Sequence, residues 1–238
     1  MSAQAVLDEI YALKNPSQAS NLSWFFKTGP GEYGEGDLFL GLKVPQTREV
    51  AKRHRTLELD EIQQLLESDF HEVRQCGLFI LNHRFEKAKS RPEQKAIFDF
   101  YMQAMRDGHI NNWDLVDATA GRIGAYLVDE PNGIQLLREL AIHPDLWHRR
   151  LSIIFTFAHI ARGQLMPTLE ISEMLLSDSE DLIHKAVGWT LREVGKRDIE
   201  LLRKFLKEHG KHMPRTALRY AIEKMTPQER QMWLATTK

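Results

Sequence analysis

Apolar residues recur at steps of three and four through most of the chain, and the two-residue alternation of a half-exposed strand is nearly absent. Helical stripes of this kind run through 57–65, 94–106, 131–141, 168–176 and 198–207. Each is followed by a short polar break and then by a second stretch of the same period. The breaks hold Ser68-Asp69, Asn111-Asn112, Pro144-Asp145 and Ser177-Asp178, residue types that supply acceptors for the unsatisfied amides of a first helical turn. The pattern predicts a series of antiparallel helix pairs.

The second members of these pairs resemble one another when stacked: LLESDFHEVRQCGL (65–78), LAIHPDLWHRRLSI (140–153), LLSDSEDLIHKAVG (175–188) and LKEHGKHMPRTALR (206–219). In each, a leucine closes one helix, a polar break follows, and a cation stands early in the next helix, at Arg74, Arg150, Lys185 and Arg215. Two places on comes a small or β-branched residue: Cys76, Ser152, Val187 or Ala217. The last three cations are 35 and 30 residues apart, and the longer gap before them holds one more unit, whose second helix is NNWDLVDATAGRIGAYL. A helix pair repeated at this period cannot bury its apolar side alone and stacks on its neighbours. The expected architecture is therefore all-α, one α-solenoid domain over residues 1–238.

One segment departs from the pattern. Residues 25–43, FFKTGPGEYGEGDLFLGLK, carry five glycines and a proline between two apolar-aromatic runs. Such a composition does not sustain a helix. It fits a short β-hairpin or an ordered loop over 25–43, with Phe25-Phe26 and Leu38-Phe39-Leu40 as anchors.

Composition narrows the class. With 42% hydrophobic and 27% charged residues the chain has the make-up of a soluble globular protein. No run approaches the roughly 18 apolar residues of a membrane span, so no membrane partner is expected. The start, MSAQAVLDEIYALKN, lacks the basic region of a signal peptide. Cys76 is the single cysteine, which excludes an intramolecular disulfide and suits a reducing cytoplasm. The ten histidines show no HxxxH, HxH or cysteine-paired spacing, so neither a metal nor any cofactor is expected. Net charge is −1. An anionic partner must then be met by a local patch of cations, since the surface as a whole does not attract it.

Candidate chemistry gathers in three places. Trp113 and Asp117 of NNWDLVD are four apart and project from one helix face, while Leu115, Val116 and Ile123 point to a core. An indole beside a carboxylate suits a cation. N-alkylated purines are cations, and loss of such a base leaves positive charge on the sugar; the pair is equally compatible with a half-buried Trp beside a surface Asp. In DLIHKAVGWTLREVGK (181–196), Lys185, Trp189, Arg192 and Lys196 share a stripe opposite Ile183, Val187 and Val194. Cations interleaved with an aromatic ring suit a nucleic-acid strand. In LWHRRLSI, Arg149 and Arg150 fall in a first helical turn, where free amides and a positive dipole end assist phosphate binding, and Trp147 suits the core. Arg48, Lys52, Arg74, Arg215 and Arg219 are weaker candidates, each compatible with an ordinary surface charge. No GxxxxGK[ST] or GxSxG motif occurs, and the glycines of GPGEYGEGD stand among Glu32, Glu35 and Asp37, which repel phosphate.

NNWDLVD, LWHRRLSIIF, IHKAVGWTLREVGKRD and DLFLGLKVPQTR together resemble the HEAT-like DNA alkylation repair glycosylases of the AlkD type, over about residues 20–225. The resemblance implies a right-handed superhelix of HEAT-like helix pairs that cradles duplex DNA on a concave cationic face and removes N3- and N7-alkylated purines. It implies that Trp113 and Trp189 contact the deoxyribose of the lesion. Asp117 would stabilise the oxocarbenium-like sugar and orient water, and Arg150 would hold the DNA backbone. The glycine-rich segment looks more like a sister branch that binds branched or distorted DNA. Three functions follow as expectations: a monomeric alkylpurine glycosylase, a non-enzymatic binder of damaged or branched DNA, and a protein–protein scaffold.

Overall fold

A computed structural model describes residues 1–236. Its ordered elements are helices: α1 (Ala3–Ala12), α2 (Pro16–Phe25) and α3 (Val44–Arg53), followed by five pairs and a last helix. The pairs are α4 (Leu59–Leu66) with α5 (His71–Lys87), α6 (Arg91–Arg106) with α7 (Trp113–Ile123), α8 (Gly133–Ala141) with α9 (Leu146–Ala161), α10 (Met166–Met174) with α11 (Asp181–Arg197), and α12 (Ile199–His209) with α13 (Arg215–Ala221). Helix α14 spans Pro227–Thr236, and a 3₁₀ turn, Gly124–Asp129, follows α7. The five apolar stripes are thus the first helices of the five pairs, and the polar breaks are the turns within them. The breaks act through their side chains. Asp145 Oδ1 accepts the amides of Trp147 (2.9 Å) and His148 (3.1 Å) and caps α9. Asn112 accepts the amide of Trp113 at 2.9 Å, and Ser68 and Asp178 accept those of Phe70 and Glu180.

The chain divides into two compact units, the first Met1–Ile123 and the second beginning at Gly124. In the first, α5 is the central element and packs on α3, α4, α6 and α7. That is why its residues from His71 to Asn82 are all buried, polar ones included. In the second, α9 packs on α8, α10 and α11, and α11 in turn packs on α12 and α13. Gly188 makes the last contact so close that a Cβ there would run into the Ala217 carbonyl oxygen and the Tyr220 Cβ. Ile183, Val187 and Val194 are buried, as are Leu115, Val116 and Ile123 of α7 and Trp147 of α9. Cys76 is buried, and burial pushes its thiol up to about 12, which leaves it unreactive.

Residues 25–43 do not form the hairpin that their composition suggests. Among the described residues there is no strand, and the segment makes a single parallel bridge, Leu38 with Phe70. The cause lies on α5. The Glu72 carboxylate accepts the amides of Leu40 (3.0 Å), Gly41 (2.8 Å) and Leu42 (3.1 Å), which a hairpin would need for its own ladder. Gly41 has φ +91°, and a side chain there would collide with the backbone of Asn15, whose amide donates to the Leu40 carbonyl at 2.8 Å. Helix α2, just before this segment, has no buried residue. No helix among the described residues is long and apolar enough to cross a membrane.

Candidate nucleic-acid interface

Trp113 and Asp117 lie one turn apart on α7, both half-buried. Five hydrogen bonds fix that helix. Its capping residue Asn112 donates to Asp37 Oδ2 at 3.1 Å. Asp114 Oδ2 takes hydrogen bonds from His71 Nε2 (2.9 Å) and Gln75 Nε2 (2.8 Å) on α5. Asn82 Nδ2 donates to the Ala118 carbonyl, and the hydroxyls of Tyr101 on α6 and Thr119 meet at 3.0 Å. The indole of Trp113 is stacked on Phe26 at 5.4 Å between centroids, with the edge of Phe25 at 6.1 Å. Phe26 stacks in turn on Phe39 at 5.1 Å, and Phe39 on the ring of His71 at 4.8 Å. The aromatic anchors expected of the 25–43 segment thus close over the indole.

Beneath these rings lies a buried ionic cluster. The His71 ring is held between Asp37 Oδ2, 3.1 Å from Nδ1, and Asp114 Oδ2, 2.9 Å from Nε2. Arg74 and Asn111 converge on the other oxygen of Asp37. Burial disfavours a charge on His71, but the flanking Asp114 and Asp37 carboxylates outweigh it and lift the imidazole to about 9. Burial likewise disfavours ionised Asp37, yet the His71 hydrogen bond and the Arg74 charge hold it down at about 2. At neutral pH the cluster is therefore a protonated histidine held between Asp114 and the ionised Asp37, with an arginine at one end. Two elements distant in sequence, the loop at Asp37 and the start of α7, are joined through it. Asp117 lies three residues beyond Asp114 on α7. Its charge reaches the phenol of Tyr101, whose pKa is raised first by burial and then by that carboxylate.

The second unit carries Trp189, half-buried on α11 with its ring 4.7 Å from that of Phe157 on α9. The stripe of cations beside it is heavily paired. Lys185 bonds Asp181 at 2.8 Å, Arg192 bonds Glu223 and lies 3.4 Å from Glu193, and Lys196 bonds Glu193 at 2.7 Å. The two arginines of α9 serve the protein's own backbone. Arg149 pairs with Asp178 at 2.6 Å and donates to the carbonyls of His143 and Pro144. Arg150 is 4% exposed and donates to the Leu182 carbonyl in the next helix pair. Arg74, equally buried, donates to the Ser68 carbonyl, and Arg215 to that of Leu234. Three of the four cations that mark the repeat therefore donate to a backbone carbonyl outside their own helix.

The remaining candidates line two cavities, one in each unit. Arg48, Lys52 and Arg122 of the first unit surround a cavity of about 400 Å³ floored by Phe79, with the Arg48 guanidinium 5.2 Å above that ring. Ala118 and Arg122 bring α7 to its wall. Burial, then the charges of Arg122, Arg55 and Lys52, hold His83, which also lines this cavity, below its usual pKa. Lys185, Arg215 and Arg219 line a cavity of about 580 Å³ in the second unit. One possible metal-ligand grouping lies outside the spacings considered in the sequence. His143, Asp145 and His148 bring ligand atoms within 4.8 Å of one another. Asp145 Oδ1 is already engaged by two amides and by His148 Nδ1 at 2.9 Å, so the grouping acts as the cap of α9.

Sequence spacing did not reveal Asp37, His71, Glu72 or Asp114. They are polar residues in a polar-looking stretch, and their partners are 30 or more positions away. The one local sign was the pair His71-Glu72 at the start of a helix that is buried on every side.

A family model described as DNA alkylation repair enzyme matches residues 6–225. Among solved structures the chain is similar to one described as a predicted DNA alkylation repair enzyme from Enterococcus faecalis. The TM-score is 0.69 at 17% identity, over 90% of this chain and 97% of that one. It is also similar to a structure reported as a new family of proteins related to the HEAT-like repeat DNA glycosylases with affinity for branched DNA structures. There the TM-score is 0.56 at 12% identity, over 93% of this chain and 83% of that one. No curated protein matches the sequence. At these identities the structural likeness carries the fold: an all-helical HEAT-like repeat.

Proposed function

The chain belongs to the DNA alkylation repair enzyme family, and from that premise we propose that it is a monofunctional DNA glycosylase that releases cationic N3- and N7-alkylated purines from duplex DNA. The carrying observation is the pair on α7: a half-buried indole with a carboxylate one turn on, held rigid from below by the His71 cluster and from the side by Phe26.

The chemistry asks for little more. In hydrolysis a water oxygen bonds to C1′ as the N-glycosidic bond breaks, and that water loses one proton to solvent. The bonding pair leaves with the base, which departs neutral and needs no general acid. Positive charge grows on the sugar, and a fixed carboxylate beside it stabilises the transition state more than the ground state. Asp117 takes that role and orients the water, and Trp113, one turn away on α7, packs against deoxyribose. Of the phosphate-binding candidates, Arg48, Lys185, Arg192, Lys196 and Arg219 keep partly exposed charge, whereas buried Arg74 and Arg150 act by setting helix positions.

Asp117→Asn keeps the shape and removes the charge. It is expected to reduce release of 7-methylguanine from methylated duplex by about 100-fold or more, an effect on the order of 3 kcal/mol, with DNA affinity nearly intact. Equal rates in wild type and variant would refute the role of Asp117.

A second reading, a binder of branched or damaged DNA without excision, draws support from one surface feature. Trp24 is 84% exposed and Phe25 is 54% exposed, next to Trp113. Exposed rings of this kind suit unstacked bases, and one structural relative is described as having affinity for branched DNA. A four-way-junction shift assay beside the excision assay separates the two readings.

A further inference from the structure

We propose that the cavity among α11, α13 and α14 is a seat for the phosphodiester backbone of DNA, with Arg219 and Arg230 as its principal cations. This rests on the DNA-binding reading above and adds to it a place and a residue, Arg230, that no motif marked.

Four cations, Lys185, Arg215, Arg219 and Arg230, line this cavity against one carboxylate, Glu223. The chain as a whole has 32 Lys and Arg against 33 Asp and Glu, so a four-to-one excess is a strong local departure. Glu223 is itself offset, by Arg192 and by Lys224 at 3.0 Å. Most arginines of the protein are engaged internally: Arg53 on Glu9, Arg149 on Asp178, Arg203 on Glu229. Among the described residues Arg219 and Arg230 pair with no carboxylate. Two such guanidiniums in one concavity repel each other, and an arriving anion relieves that repulsion.

Shape and chemistry favour a backbone over a single small anion. At about 580 Å³ the cavity is far larger than one phosphate, and its cations come from three helices. DNA offers one charge per about 3.4 Å along each strand, and guanidinium forks match phosphate oxygens bidentately. The rim adds the Thr216 hydroxyl, which is held 2.8 Å from Asp181.

The test uses the full-length protein and a labelled, unmodified 20-base-pair duplex, with affinity measured over a series of salt concentrations. The double variant Arg219→Ala/Arg230→Ala is expected to bind more weakly by on the order of 10- to 100-fold near 100 mM salt. Its log–log salt slope should flatten by about 1.8, or 0.9 for each phosphate that is no longer neutralised. Glu223→Gln should tighten binding several-fold, a change that damage to the fold would not produce. An unchanged slope in a folded double variant overturns the proposal, as does unchanged affinity in Glu223→Gln. Polyglutamate bound more tightly than the duplex, and released by the double variant, overturns it in favour of an acidic peptide. Wild type that releases no methylated base would refute excision and leave the salt test intact. Asp117→Asn should leave the slope where it was.

Discussion

The two units solve the problem of holding an indole in place by opposite means. In the first, Trp113 rests on charge taken inside: His71 between Asp37 and Asp114, Arg74 against Asp37, and Glu72 bound to three loop amides. In the second, Trp189 rests on apolar packing. Buried hydroxyls of α9 and α11 bond carbonyls of their own helices, as Ser152 does with Arg149, Thr156 with Ile153 and Thr190 with Val187. The charges of that unit lie largely at its surface in pairs. The contrast teaches that a repeat architecture does not impose one energetic design. Part of the interior of the first unit is ionic and answers to pH, whereas the surface charges of the second answer to salt.

The sharpest way to break the comparison is His71→Ala. It leaves two buried carboxylates without their shared cation and should cost about 3–5 kcal/mol, read as a lowered urea midpoint. Because His71 stacks on Phe26 and Phe39, the same variant should loosen the aromatic cover of Trp113.

Titration of the wild type should remove part of the same stabilisation. The His71 pKa is raised from 6.5 to about 9, so its contribution is complete below 6.5 and is lost as pH rises through 9. The Asp37 pKa is lowered from 3.8 to about 2, so its contribution is complete above 3.8 and is lost as pH falls through 2. Unfolding free energy should therefore fall on the alkaline side near pH 9, and His71→Ala should flatten that limb. His143 in the second unit shifts downward instead, through burial and the charge of His148, so an alkaline limb that survives His71→Ala would refute the assignment.

The matching variant in the second unit is Gly188→Val. It forces α11 from α13 and should cost about 1–3 kcal/mol, with little pH dependence. The smallest effect belongs to Lys196→Ala, whose pair with Glu193 is on the surface. A change within about 0.5 kcal/mol is expected; a larger one would mean that Lys196 supports more than that pair.

What the sequence made legible follows the same division. The helix pairs could be read because each apolar stripe and each polar break is local, and Asp145 caps α9 where a break was expected. The Trp113–Asp117 pair could be read for the same reason, since a four-residue step needs only the helix itself. The interior of the first unit could not. Glu72 and Asp37 look like solvated acids, and only folding brings them to amides and an imidazole 30 or more positions away. Glycine content signalled that 25–43 leaves the helix, but it could not signal that another helix would take the amides. The repeat cations could be read as a period, but not that Arg74, Arg150 and Arg215 donate to carbonyls outside their own helices.

Helix α2 has a consequence of its own. With no residue in the core, it is held by the Asn15 amide on Leu40, the close approach of Gly41 to Ala19 and the Phe26 ring in the aromatic stack. Ten residues so placed are expected to open before the deeper helices of the unit. Their amide hydrogens would exchange with solvent first, and each such excursion would strip the Phe25 and Phe26 rings from the indole beneath.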